Sequence, residues 1–254
     1  MRFFDILRAG REHLCKVLQQ LDDSVMPLRC EFCGTRCYPG EGRVCSGCRA
    51  DLPWNRHACA RCAEPVVIEL PRGVHCAACQ ASPPPFEATV APLRYEFPVD
   101  AGIKALKFGR RLYYAPAFGE LLVEEMQRHS LPADALLPVP LHWRRQALRG
   151  FNQAAEICRP VARHYSMPVL SGVVRHRATP FQSGLPASER STNLQSAFVV
   201  KRKLNEQHIL IVDDVVTSGA TAHHLAKALL DAGAARVSVL AVARASRISQ
   251  PRPG

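Results

Sequence analysis

The chain has 254 residues, 47% of them hydrophobic, with a formal charge of +11 and a pI near 9.4. That length holds one large domain or two small ones, and the apolar content supports a packed core. No apolar run reaches the ~18 residues of a membrane-spanning helix, and the basic balance favours polyanionic substrates or partners.

Residues 1–26 read as an amphipathic helical segment. Arg, Asp, Glu and Lys are scattered through its apolar positions, which does not resemble a secretory signal, so a cytoplasmic location is expected. Ten of the eleven cysteines lie before residue 80. Eight form C-x-x-C pairs: Cys30/Cys33, Cys45/Cys48, Cys59/Cys62 and Cys76/Cys79. Such spacing turns both sulfurs of a pair toward one ion, and two pairs complete a tetrahedral thiolate site. Four pairs therefore predict two structural zinc ions over residues 27–81. Sequential pairing is the simpler arrangement, with an interleaved cross-brace as the alternative. A disulfide framework competes, but a reducing compartment disfavours it. Cys37, His57 and His75 are possible substitute ligands, and Cys15 and Cys158 read as buried thiols in helical patterns. With every ligand a thiolate and no open position, the metal is read as structural.

Ser82-Pro83-Pro84-Pro85 predicts a stiff linker over residues 82–87. An α/β domain is expected over residues 88–246, followed by a flexible tail, 247–254. Its strands are expected at Thr89–Tyr95, Ala135–Pro140, Pro168–Val174, Ile209–Val212 and Val237–Val242, with helices at Val99–Lys107, Arg111–Arg128, Asn152–His164 and Ala222–Ala232. Leu112, Phe118, Leu121, Leu122 and Met126 are the expected apolar face of the second helix. Alternating strands and helices argue for a mostly parallel, doubly wound sheet.

Three basic constellations lie in this domain. Lys104 and Lys107 share a helix face, where an exposed solvated charge is the plainer reading and a phosphate contact the sharper one. Arg144, Arg145 and Arg149 follow Pro138-Val139-Pro140-Leu141-His142 and read as a basic loop at a strand end, able to receive pyrophosphate. A long polar segment carries Arg175, Arg177, Gln182, Arg190 and Asn193, and reads either as a water-excluding lid or as a surface β-ribbon.

The most informative stretch is Ile209 to Thr221. A β-branched run enters Asp213-Asp214, then Val215-Val216-Thr217-Ser218-Gly219-Ala220-Thr221 leads into a helix. That order places two acids at the carboxyl end of a buried strand and an anion cradle at a helix N-terminus, the arrangement that grips sugar hydroxyls and a phosphate together. Acids acting only as helix caps would need neither the second Asp nor the following hydroxyl-rich loop.

The stretch resembles the 5-phosphoribosyl-1-pyrophosphate (PRPP) signature of type I phosphoribosyltransferases, with Ser218 where a second Thr is common. The cysteine pairs, Leu106-Lys107-Phe108, Pro138-Val139-Pro140, Arg149-Gly150-Phe151-Asn152-Gln153, the 175–193 segment and the Asp-Asp signature together resemble the ComF family, including its GntX-like branch. The resemblance implies a double zinc ribbon joined to a phosphoribosyltransferase-like domain. It also implies PRPP bound with Mg²⁺ at Asp213 and Asp214 and at residues 215–221, pyrophosphate received by the basic side chains, and an unidentified acceptor. DNA uptake or nucleotide salvage is the implied context, with single-stranded DNA or competence proteins as implied partners. A non-catalytic DNA-handling protein retaining the pocket is the second reading.

Overall fold

The computed structural model describes residues 28–71, 73–129, 131–176, 197–205 and 207–246. Contacts divide the chain into two compact units, Met1–Asp51 and Leu52–Gly254. The expected helix at 1–26, the tail and most of the 175–193 segment lie outside the described residues.

In the first unit, Cys30 and Cys33 sit on a tight turn closed by an antiparallel bridge between Arg29 and Arg36. Cys45 and Cys48 lead into α1 (Ser46–Asp51). Glu41 ties this loop together, accepting from the amides of Tyr38 at 2.7 Å and Ser46 at 2.9 Å. Two amides donating to one carboxylate hold its pKa below the ordinary range.

The second unit contains the other four knuckle cysteines as well as the sheet. Cys76 and Cys79 flank and enter α2 (Ala77–Ala81). The sheet is built from β1 (Thr89–Val90), β2 (Leu93–Arg94), β3 (Ala135–Pro138), β6 (His208–Val216) and β7 (Arg236–Arg244). Its order is β1-β7-β6-β3, with β2 continuing along β7, and every pairing is parallel. The expected strand at 89–95 is split because Pro92 has no amide to donate. The strand expected at 168–174 is also divided. Val169 makes a parallel bridge to Leu136, while β4 (Val173–Arg175) turns away and pairs antiparallel with β5 (Phe198–Val200).

Alternation along the strands assigns the two faces. Ala135, Leu137, Ile209, Ile211, Val237 and Val239 form one core layer with Leu225, Ala226 and Leu229 of α7 (Ala220–Asp231). Leu136, Leu210, Val212, Leu240 and Val242 are equally buried and face the opposite way. That side is covered by α4 (Tyr114–His129) and α6 (Gln153–Tyr165), through Phe118, Leu121, Leu122, Ile157 and Val161. Helices on both faces of a parallel sheet make this unit α/β and doubly wound. Leu112 departs from its expected role: it precedes α4 in a turn and is exposed. The Pro-rich stretch also does more than span. Phe86 is buried in the core, and the Glu87 amide donates to Val237 at 2.9 Å.

Candidate functional site

The eight knuckle cysteines collect into two groups, Cys30/Cys33/Cys45/Cys48 and Cys59/Cys62/Cys76/Cys79, so the pairing is sequential. A tetrahedral zinc with Zn–S bonds of about 2.3 Å has sulfur–sulfur edges of about 3.8 Å. Cys33 and Cys45 sulfurs stand 3.7 Å apart, and those of Cys62 and Cys76 3.6 Å. Amides already point at the sulfurs: Cys48 toward Cys45 at 3.4 Å, and Cys76 toward Cys59 at 3.3 Å. Each group is therefore shaped for a structural zinc ion with no open coordination position. Cys37 is buried but belongs to neither group, and neither does His57 or His75.

The acid pair lies inside β6 rather than at its end. The strand runs on because Val215 and Val216 still pair with Ala243 and Arg244 of β7. The two acids differ in burial, Asp214 being buried and Asp213 half-buried. Asp214, 3% exposed, faces α3 (Val99–Gly109) and α6, where it forms an ion pair with Lys107 and accepts from Gln153 Nε2 at 3.3 Å. Asp213 keeps part of its surface open, and its carboxyl lies close enough to that of Asp214 for the two to interact directly. Burial of its carboxyl, reinforced by the charge of Asp214, raises its pKa well above the ordinary carboxylate value.

Beyond the strand, Thr217 and Ser218 are exposed and Gly219 has φ of 81°, a left-handed conformation that favours glycine. Gly219 is the N-cap of α7, so the loop presents amides and hydroxyls at the positive end of a twelve-residue helix. Ser218 Oγ accepts from the Ala220 amide at 3.3 Å. Ala220 and Thr221 form the first turn of that helix.

Basic groups converge on the same sheet edge. The expected loop carrying Arg144, Arg145 and Arg149 is instead a helix, α5 (Trp143–Arg149). His142 caps it by accepting from the Arg144 amide, and Gly150 in the left-handed conformation ends it. Arg149 donates to Gln153 Oε1 at 2.5 Å, so Arg149, Gln153, Asp214 and Lys107 form one polar chain. Burial lowers the pKa of Arg149 and of Arg175, with Arg145 repelling both; Asp214 offsets this at Arg149 and Asp213 at Arg175. Arg175 lies over the Phe198 ring and Arg144 over Trp143. Arg177, Gln182, Arg190 and Asn193 lie outside the described residues. Lys104 is engaged elsewhere, 2.6 Å from Asp100 on its own helix. Beside the arginines a cavity of about 460 Å³ opens, lined in part by Leu141, Trp143, Asn152, Arg175, His176 and Lys201.

Comparison with known proteins shows the family. The double zinc ribbon domain family matches residues 21–80. DNA utilization protein YhgH of Escherichia coli K12 is 35% identical over 227 residues, covering 86% of this chain and 98% of that protein. Competence protein F of Haemophilus influenzae is 30% identical over 226 residues, covering 85% and 97%. The chain belongs to the ComF family. Among solved structures, a purine phosphoribosyltransferase from Pyrococcus horikoshii is similar at 16% identity with a TM-score of 0.31, over 50% of this chain and 72% of that one. The hypoxanthine phosphoribosyltransferase of Trypanosoma cruzi is similar at 15% identity with a TM-score of 0.32, over 54% and 67%.

Two residues of this ComF-family chain matter to the site without having been singled out as site residues. Gln153, 5% exposed, joins Arg149 to Asp214, and its only sequence signal is its place in the Arg149–Gln153 element. Arg244 is fully buried at the end of β7. Its signal is a lone charge closing an apolar strand run, which sequence alone cannot distinguish from an ordinary surface residue at a strand end.

Proposed function

We propose that this ComF-family protein binds PRPP with Mg²⁺ and transfers its phosphoribosyl group to an acceptor in DNA uptake or nucleotide salvage. One observation carries the reading: two acids on β6 and an anion loop at the N-terminus of α7 share the sheet edge with a cluster of arginines. In open α/β sheets that edge is where ligands sit.

In this reading Asp213 and Asp214 hold the ribose hydroxyls and favour positive charge developing at C1. The amides and hydroxyls of Thr217, Ser218, Gly219 and Thr221 clamp the 5-phosphate. Lys107, Arg145 and Arg149 receive the departing pyrophosphate, with Arg144 on the same helix turn. A phosphate-bound magnesium needs only one or two protein carboxylates, which adjacent aspartates fit, and it would neutralise charge on the leaving pyrophosphate. Val215 and Val216, paired with Ala243 and Arg244 of β7, lead the chain into the phosphate clamp. Rate enhancement then rests on charge stabilisation and positioning.

Calorimetric titration with PRPP tests the pocket before any acceptor is known. Saturable, Mg²⁺-dependent heat is expected, and it should vanish in the Asp213→Asn/Asp214→Asn double variant. Unchanged affinity in that variant would refute the assignment.

A second reading, a non-catalytic protein handling single-stranded DNA, has its own observation. Trp143 (65% exposed), Leu148 (82%) and Phe108 (67%) lie on the surface, and Arg144 and Arg149 stack over the two aromatic rings. Aromatic platforms beside arginines suit unstacked bases. Single-strand affinity that falls steeply with log salt would support this reading, and weak, salt-insensitive binding would exclude it.

A further inference from the structure

The second thiolate group and the anion loop share one guanidinium. Arg244, fully buried, donates from Nε to the carbonyl of Cys62 at 3.1 Å, and from Nη2 to the carboxylate of Glu64. Cys62 belongs to the thiolate group, and Glu64 follows it by two residues. On its other side Nη1 donates to the carbonyls of Val216, at 2.8 Å, and of Thr217, where the anion loop begins. A third carbonyl, that of Ala245, accepts from Nη1 at 2.8 Å, and the Ala245 amide returns a bond to Val216 at 3.0 Å. The thiolate group is fastened to the sheet at further points. Thr89 donates its amide to Ala60 at 3.0 Å and its hydroxyl to Arg61 at 2.8 Å, and Asn55 bridges the carbonyls of Ala63 and Ala91.

We propose that Arg244 is a positioning residue that couples zinc at Cys59/Cys62/Cys76/Cys79 to the anion loop, so that metal at the ribbon sets the loop's grip on phosphate. The planar guanidinium has donors pointing in several fixed directions, so it holds two segments in one geometry, which a lysine ammonium on its flexible stem does not. Without zinc the Cys59–Cys79 segment has little core of its own: its buried cluster consists of Cys59, Cys62 and Cys79, with Leu70 and Cys76 beside them. Losing the metal there frees the Cys62 carbonyl and Glu64 to move. Arg244 then loses its Cys62 and Glu64 partners, and the Val216–Thr217 backbone loses the group that fixes where the loop starts. Linkage makes the coupling reciprocal: a phosphate ligand at the loop tightens zinc binding at this site. As to the ligand, the inference rests on the PRPP reading; the mechanical coupling itself does not.

The test follows amide hydrogen exchange at Thr217–Thr221 in the full chain. Emptying only the second site, with Cys76→Ser, is expected to speed exchange there by roughly five- to tenfold. Arg244→Lys should reproduce that acceleration while both zinc ions are retained. Should either variant fail to fold, the wild type decides: at equilibrium with a chelator, less zinc should transfer from the second site when PRPP or pyrophosphate saturates the loop. Unchanged exchange in the variants, or ligand-independent zinc transfer in the presence of measured binding, overturns the coupling. If the wild type gives no heat with PRPP, the ligand reading falls, and loop exchange still decides whether ribbon and loop are coupled.

Discussion

In the proposed site, Asp213 sets binding and stability against each other at a single side chain. Burial and Asp214 raise its pKa, so the native state binds more protons than the unfolded chain between the unfolded value of about 3.9 and the higher folded value. Stability therefore falls as pH rises through that window, and the cost is fully present above it. Asp213→Asn removes the cost. The variant is expected to melt about 2–4 °C higher at pH 8, with the gain disappearing near pH 4, because each kcal/mol moves Tm by that much in a unit of this size. Thermal melts across pH check this, and a variant that melts lower at pH 8 would contradict it. The same substitution should weaken PRPP binding, a trade of stability for function. Wild-type affinity should rise with pH through the same window, because a carboxylate that engages hydroxyls or Mg²⁺ must first lose its proton. Lys107 forms an ion pair with the buried Asp214. Lys107→Ala leaves a buried carboxylate alone and should cost about 3–5 kcal/mol in denaturant unfolding, most of it restored by adding Asp214→Asn.

Between elements, α4 and α6 approach closely at Gly119, and α6 also carries Gln153, the partner of Asp214. Gly119 makes the approach possible: a Cβ there would lie 2.6 Å from Cγ of Pro160 and 2.8 Å from the Ile157 carbonyl oxygen. The proline ring is rigid and the carbonyl belongs to helix backbone, so the helices themselves must separate. Gly119→Ala should destabilise the second unit by about 1–3 kcal/mol, as overpacked cores do. Because α6 begins at Gln153, the variant should also loosen the Gln153–Asp214 contact and weaken ligand binding. Destabilisation measured in urea with unaltered PRPP affinity would separate the packing role from the positioning one.

For the whole molecule, the two thiolate groups belong to different compact units although one sequence pattern writes both. The first shares its unit with no strand of the main sheet, whereas the second is hydrogen-bonded to β1 and β7. Cys45→Ser is expected to lower zinc content from two ions to one while the sheet's melting transition stays near the wild-type value. Cys59→Ser should also lose one ion but bring that transition down by several degrees, since zinc binding there is part of the unit's folding free energy. Equal melting shifts in the two variants would show that the ribbon behaves as a single body. Among the described residues no helix is long and apolar enough to cross a membrane.

How much of this was legible depended on the range of the interaction. Thiolate spacing, the β-branched run of β6, the Asp-Asp pair and the glycine at the head of α7 are local patterns, and local patterns carry their own geometry: two residues between cysteines, period two in strands, left-handed φ at glycine. They gave the fold class and the place of the anion loop. Strand limits were less legible, because β6 continues past Val212 only where β7 offers partners and the 89–95 strand breaks only where Pro92 lacks an amide. The α5 helix was read as a loop since its caps, His142 and Gly150, are signals its short apolar pattern could not reinforce. By itself the sequence determined that this protein has two tetrathiolate knuckle groups and an acid pair followed by a glycine loop at a helix N-terminus on an α/β sheet. Tertiary structure alone decided that Lys107 and Gln153 answer Asp214, and that Arg244 joins the second knuckle group to the loop. Those contacts span 27 to 182 residues of chain, and which distant side chains meet is set by the packing of strands and helices around a common core.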